Sequence, residues 1–93
     1  MAMERFYLRF TGRVQGVGFR FFTAMNAERC QLTGWVKNMP DGSVTAEVQG
    51  TRLQIGKFLS LIQQGNRFIR IDQIKKEARP LAGGEKQFHV RYH

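Results

Sequence analysis

The sequence predicts an α+β sandwich in which two helices cover one face of a mainly antiparallel sheet, in the order βαββαβ with a short extra strand at the end. Three observations predict it. Apolar residues alternate at a period of two in several short runs, the signature of strands that bury one face. In one segment the period changes: Ile55, Phe58, Leu59 and Ile62 fall at i, i+3, i+4 and i+7, a helical stripe. Finally, 93 residues of which 42% are hydrophobic supply one compact core and no more, so two helices bury their stripes only by lying together on one sheet face.

Phe6, Leu8 and Phe10 alternate with Tyr7, Arg9 and Thr11 as the first strand. A glycine-rich turn follows, and then Phe21, Phe22, Ala24, Met25 and Ala27 lie in a run free of Gly and Pro. That run predicts a helix from about Phe19 or Arg20 to Cys30 or Gln31, with Phe21 and Phe22 expected in the core. Leu32 to Asn38 reads as the second strand. The turn sequence Asn38-Met39-Pro40-Asp41-Gly42 makes a hairpin to a third strand in which Val44, Ala46 and Val48 face inward and Glu47 faces solvent, ending at Gly50. The second helix stops at Gly65. Phe68 to Ala78 is the fourth strand, with its alternation slipping between Ile71 and Ile74, which signals either a bulge or an early strand end. Pro80 to Gly84 is a surface loop, and Phe88, Val90 and Tyr92 alternate with His89, Arg91 and His93 in a last short strand. Together these elements form a ferredoxin-like α/β sandwich spanning residues 1–93 as a single domain, and right-handed crossovers set the first strand beside the third.

Composition excludes several classes. A single cysteine, Cys30, rules out an internal disulfide and a multi-cysteine metal cluster, and fits a reducing, cytoplasmic setting. Met1 to Arg9 carries Glu4, Arg5 and Arg9, so it reads as neither a signal peptide nor a spanning helix, and a soluble protein with no membrane partner is expected. The net charge of +8 suits polyanions. Its cations are scattered along the chain, which reads as a generally basic solvated surface instead of a nucleic-acid stripe.

The most informative stretch is Gly12-Arg13-Val14-Gln15-Gly16-Val17-Gly18-Phe19-Arg20. Glycines between a strand and a helix allow consecutive backbone N–H groups, here Gln15, Gly16, Val17, Gly18, Phe19 and Arg20, to converge as an anion-binding nest. The helix start adds unpaired N–H groups and the positive end of its dipole, and Arg20 adds a guanidinium fork. A phosphate or carboxylate ligand follows. No nucleophile–base pair, paired carboxylates or metal-ligand spacing accompanies the nest, so the simplest nucleophile is water, and the amide of Asn38 is the candidate to orient it. An amide is no base. Such a site suits a mixed anhydride, whose carboxylate leaving group has a conjugate-acid pKa of roughly 4, better than a phosphate ester.

These residues carry a resemblance. Gly12 to Arg20, followed by Gly34-Trp35-Val36-Lys37-Asn38 and Asp41-Gly42-Ser43-Val44, resembles the two signature blocks of the acylphosphatase family in order and spacing. The resemblance implies hydrolysis of acyl phosphates to a carboxylate and inorganic phosphate, without metal or organic cofactor. It further implies that Arg20 grips the phosphoryl group with the loop amides, that Asn38 positions the attacking water, and that a substrate phosphate oxygen receives the proton. A small-molecule acyl phosphate is then the partner and a cytoplasmic, monomeric, free-standing enzyme the expected form. Asn26 and Gln31 depart from the family pattern, where an apolar residue and a glycine are usual, and bear on the stability of the first helix.

Two other readings compete. An RNA-binding module shares the element order but needs aromatics on its central strands, and Ser43 to Gln49 has none; Tyr7 and Trp35 are the substitutes. An inactive regulatory domain would keep the nest, though it has no evident use for Asn38. Cys30 and Trp35 read as packing, Asp41 as a turn former, and His89 with His93 as surface residues lacking a third metal ligand.

Overall fold

The computed structural model describes residues 2–92. Strand β1 (Met3–Arg13) leads into helix α1 (Phe19–Arg29); β2 (Thr33–Asn38) and β3 (Val44–Thr51) form a hairpin; α2 (Arg52–Gln64) returns to β4 (Arg70–Ala78), and β5 (Phe88–Arg91) closes the chain. The sheet order is β4-β1-β3-β2-β5, antiparallel throughout except for the parallel β2–β5 pair. The first strand does lie beside the third. Helices α1 and α2 touch each other over one face, where Leu8, Phe10, Val36, Val44, Ala46 and Val48 meet Phe19, Ala27, Ile55, Phe58 and Ile62 in the core.

Strand directions decide where function can sit. The ends of β1, β2 and β5 and the starts of β3 and β4 share one end of the sheet. The glycine loop, the Asn38 hairpin and the C-terminal strand end therefore gather there. The alternation slip in the fourth strand is a real register shift, in which Thr11 pairs with Gln73 but Gly12 pairs with Ile71. Pairing begins at Arg70, and Phe68, assigned to the strand from its sequence, is exposed in the preceding loop because the isolated Asn66–Ile69 bridge turns the chain first.

The face opposite the helices is not bare. Residues 79–87 cross it from β4 at one edge to β5 at the other. The buried Arg5 guanidinium anchors that strap, donating from Nε to Glu47 at 2.7 Å and from Nη1 to Glu85 at 2.7 Å. Gln49 exchanges two hydrogen bonds with the backbone of Ala82. Glu47 is thus half-buried and paired instead of facing solvent, because the strap covers its side of the sheet. Tyr7 and Trp35 lie on this face, each beneath a guanidinium: Arg79 at 4.8 Å and Arg91 at 4.9 Å. His93 lies outside the described residues, and His89 is exposed on β5.

Helix α1 departs most from its sequence pattern. Its buried residues are Phe19, Thr23, Asn26 and Ala27, while Phe21 is 69% exposed. Asn26 fits inside by donating to the Phe22 carbonyl at 2.8 Å. The helix ends in a Schellman turn, with Gln31 N–H donating to Glu28 and Leu32 N–H to Ala27. Gln31 occupies the left-handed position at φ 59°. A non-glycine residue there costs about 1–2 kcal/mol. The substitution Gln31→Gly is accordingly expected to raise the unfolding free energy by about 1 kcal/mol in a urea titration; no gain, or a loss, would show that the Gln31 side chain, which accepts from Gln54, matters more than the backbone.

Candidate active site

Every sequence-predicted site residue comes to this one end of the sheet, in distinct roles. A cleft of about 230 Å³ is lined by Val14, Gly16, Gly18, Phe19, Arg20, Phe21 and Asn38. That is below the roughly 300–1,000 Å³ of a site enclosing a drug-sized ligand, so it suits a headgroup with the remainder projecting outward. A more open hollow of about 610 Å³ lies at the opposite end of the sheet beside Thr51 and Leu53. Its one guanidinium, Arg52, pairs with Glu4 at 3.3 Å.

The cradle follows from two glycines in positive-φ conformations, Gly16 at 74° and Gly18 at 77°, which turn successive peptide planes the same way. Among the described residues, no backbone acceptor takes the N–H groups of Gln15 to Arg20. Gly18 is the N-cap of α1 without a side-chain cap, and the first turn carries no acidic residue, so the helix start is left open to an external anion. Phe19 anchors this turn from below, edge-on to Phe10 at 5.1 Å.

Gly12 has a different role from the one its sequence position suggests. It lies within β1 at the register shift, where a Cβ would run into the carbonyl of Arg70, so it serves the close approach of β4 and not the cradle. Gln15 contributes more than its N–H. Its side-chain Nε2 donates to the carbonyls of Met39 at 2.7 Å and Ser43 at 2.8 Å, tying the loop to the hairpin that carries Asn38.

That hairpin is itself locked. Asp41 accepts from the Ser43 hydroxyl at 2.6 Å and the Ser43 N–H at 3.0 Å, and pairs with Arg9 at 2.8 Å. The Ser43 hydroxyl and N–H, followed by Arg9, hold the Asp41 carboxyl well below the usual carboxylate range. Asp41 therefore stabilises the turn above the ordinary value of about 4, and the contribution is lost only as pH falls on through the depressed folded value. It is a turn former, as its sequence context suggests.

Arg20 is held from the C-terminal side. Its Nη1 donates to the Arg91 carbonyl at 3.2 Å and the guanidinium stacks on the Tyr92 ring at 4.5 Å, leaving the other donors of the fork for a ligand. Asn38 lines the same cleft, and its Oδ1 is buried with no hydrogen-bond partner among the described residues. Such an atom costs about 1–3 kcal/mol and calls for a donor from outside the chain. No Asp, Glu, His or Cys is among the residues lining the cleft. The arrangement can grip a tetrahedral anion and orient a small polar molecule beside it, with no titratable protein group. The Tyr92 and Arg91 support and the side-chain role of Gln15 were not read from sequence. The i, i+2 alternation after Phe88 placed Tyr92 on a strand but could not pair it with Arg20, 72 positions away by number.

The family model described as Acylphosphatase matches residues 6–90. The chain is 43% identical over 90 residues to a protein named acylphosphatase from Clostridium acetobutylicum, covering 97% of this chain and 99% of that one. It is 44% identical over 90 residues to an acylphosphatase from Geobacillus kaustophilus, covering 97% of this chain and 96% of that one. Its fold superposes on the crystal structure of acylphosphatase from Bacillus subtilis with a TM-score of 0.90 at 32% identity, over 96% of this chain and 99% of that chain.

Removal of the Gln15 tie tests the cradle directly. Gln15→Ala deletes two neutral hydrogen bonds worth roughly 0.5–1.5 kcal/mol each, so inorganic phosphate is expected to bind about tenfold more weakly by calorimetry or phosphorus NMR. Unaltered phosphate affinity would mean that the loop holds its shape without the hairpin.

Proposed function

The chain belongs to the acylphosphatase family, and from that premise we propose how its cleft splits the carboxyl-phosphate anhydride of an acyl phosphate into a carboxylate and inorganic phosphate. The phosphoryl oxygens take the N–H groups of Gln15, Gly16, Val17, Gly18, Phe19 and Arg20 together with the Arg20 guanidinium. These donors neutralise the anion and stay complementary as charge moves onto the phosphoryl oxygens. Asn38 accepts a hydrogen from the attacking water through Oδ1, which reaches it by rotation about χ2, a broad torsion for an amide.

Water then adds at phosphorus as the bond to the carboxylate oxygen breaks on the far side, in line. One water proton passes to a phosphate oxygen, so the products are the free carboxylate and dihydrogen phosphate or its conjugate base. The leaving carboxylate, with a conjugate acid of pKa roughly 4, departs without a general acid, and the substrate's own oxygen stands in for a base.

One observation carries this division of labour. Asn38, whose Oδ1 is buried without a partner among the described residues, lines a single small cleft together with the glycine loop, whose amides are open, and Arg20. The alternatives find less support. The open sheet face is crossed by a strap and its aromatics lie under guanidinium groups, which leaves no platform for RNA bases. A regulatory nest would gain nothing from a buried, unpaired amide oxygen at Asn38. Residues 1–93 read as one domain, a reading the match over 6–90 supports. We place it in the cytoplasm on its buried free Cys30 and as a monomer on the cations Lys75, Lys76 and Arg79 at the β4 edge, which oppose extension of the sheet by a second copy.

Phosphate release from acetyl phosphate, measured beside an RNA titration, tests the proposal. Arg20→Lys is expected to lower kcat/KM about a hundredfold or more, since an ammonium cannot reproduce the fork. Asn38→Ala is expected to lower kcat by a similar factor with inhibition by inorganic phosphate essentially unchanged, and a chelator to leave the rate as it was. Near-normal turnover by the Lys variant, or parallel loss of phosphate affinity and turnover in the Ala variant, overturns the assigned roles.

A further inference from the structure

Phe21 is the part of the cleft that the phosphate chemistry leaves unused. It follows Arg20 in the first turn of α1, lines the cleft with Gly18 and Asn38, and is 69% exposed, while Phe19 is in the core and Phe22 packs against it. One turn further on, Met25 is 53% exposed. The i, i+4 spacing places the two side by side, in an apolar strip leading away from the cleft along the helix. Nothing in the packing of α1 requires either: the buried stripe is Phe19, Thr23, Asn26 and Ala27.

The cleft, at about 230 Å³, is too small to enclose a large acyl phosphate, so a bulky acyl part extends from the phosphoryl group toward its rim. Of the two aromatic residues that line the cleft, Phe19 is buried in the core and Phe21 is exposed, while the nearby Tyr92 is occupied against the Arg20 guanidinium at 4.5 Å. In-line displacement also puts the acyl group on the side of phosphorus away from the water. The water is served by Asn38 from β2 and the acyl group by Phe21 from α1, so the two demands fall on separate elements.

We propose that Phe21, extended by Met25, is the shelf that receives the acyl group and makes the enzyme favour aryl and long-chain acyl phosphates over acetyl phosphate; this rests on the acyl-phosphate reading above. An aromatic acyl group gains ring contact and sheds water on that shelf, while a methyl group is too short to reach across it. The preference is thus set by the residue beside the phosphate-gripping arginine, without any polar contact to the acyl chain.

The test compares kcat/KM for benzoyl phosphate and acetyl phosphate in the unmodified protein, Phe21→Ala and Phe21→Leu, with competitive inhibition by inorganic phosphate as the control lacking an acyl part. In Phe21→Ala the benzoyl-to-acetyl ratio is expected to fall about tenfold, chiefly through KM for benzoyl phosphate, and Phe21→Leu to restore part of it. A loss that is proportional for both substrates, or an unchanged ratio, overturns the shelf. So does a change in self-association on gel filtration that accounts for the loss, which would assign Phe21 to a contact between copies. If the unmodified protein hydrolyses neither substrate, the hydrolase reading fails, and the shelf with it.

Discussion

Two hydrogen bonds from one amide make a single site out of two separate pieces of chain. The cradle and Arg20 continue from β1, whereas Asn38 ends β2, and these strands are not neighbours, since β3 lies between them. No ladder hydrogen bond sets one against the other directly. Gln15 does, by giving both hydrogens of its Nε2 to the Met39 and Ser43 carbonyls. Asp41 and Arg9 stiffen the same hairpin from outside. The donors are then held in place before an anion arrives, so little ordering cost falls on binding.

The support for Arg20 reaches much further through the chain. Its holders, the Arg91 carbonyl and the Tyr92 ring, lie at and just after the end of β5, which pairs at the opposite edge of the sheet from β4. Only the strap of residues 79–87 connects those edges, and it is pinned where Arg5 meets Glu85 and Gln49 meets Ala82. Burial alone would raise the Glu85 carboxyl, but the hydrogen bonds from Arg5 and Thr33 and the charges of Arg5 and Arg91 outweigh it and leave the group below its ordinary value. Burial likewise opposes the charge on Arg5, and Glu85 and Glu47 reverse that. A depressed carboxyl stabilises the fold above its unfolded value and ceases to as pH falls through the folded one. Acid therefore loosens the strap that delivers the arginine's support, although no carboxylate lines the cleft itself.

Most of the sheet was legible because its strands obey a simple rule. Leu8, Phe10, Val44, Ala46 and Val48 alternate and do point inward, and the slip between Ile71 and Ile74 marks a true register shift. The stripe of α2 was equally plain. Helix α1 was legible as a helix but not in its facing, since two of its inward positions, Thr23 and Asn26, are polar while the apolar Phe21 and Met25 look outward. Asn26 escapes the usual penalty by bonding within its own helix, which composition cannot reveal. Gly12 misled for a similar reason: a glycine needed for a neighbouring strand's approach looks the same in sequence as one needed for an anion. Glu47 was misassigned because the segment that covers it comes from more than thirty residues later.

The cleft's lack of any acid or base explains why so small a fold suffices. A general base must be tuned by burial and neighbours, and every such group buried in a domain of this size draws on a core that has little to spare. Backbone amides and a guanidinium need no tuning: they keep their charge or polarity across the pH range in which the chain stays folded. The fold instead leaves several donors and the Asn38 oxygen without internal partners, a cost met by the contacts of Phe19, Phe10 and Val14 directly beneath them. On the roles proposed above, that choice suits substrates already activated at phosphorus. A phosphate ester, whose leaving alkoxide needs a proton, would find no carboxyl, imidazole or thiol among the residues lining the cleft to supply it.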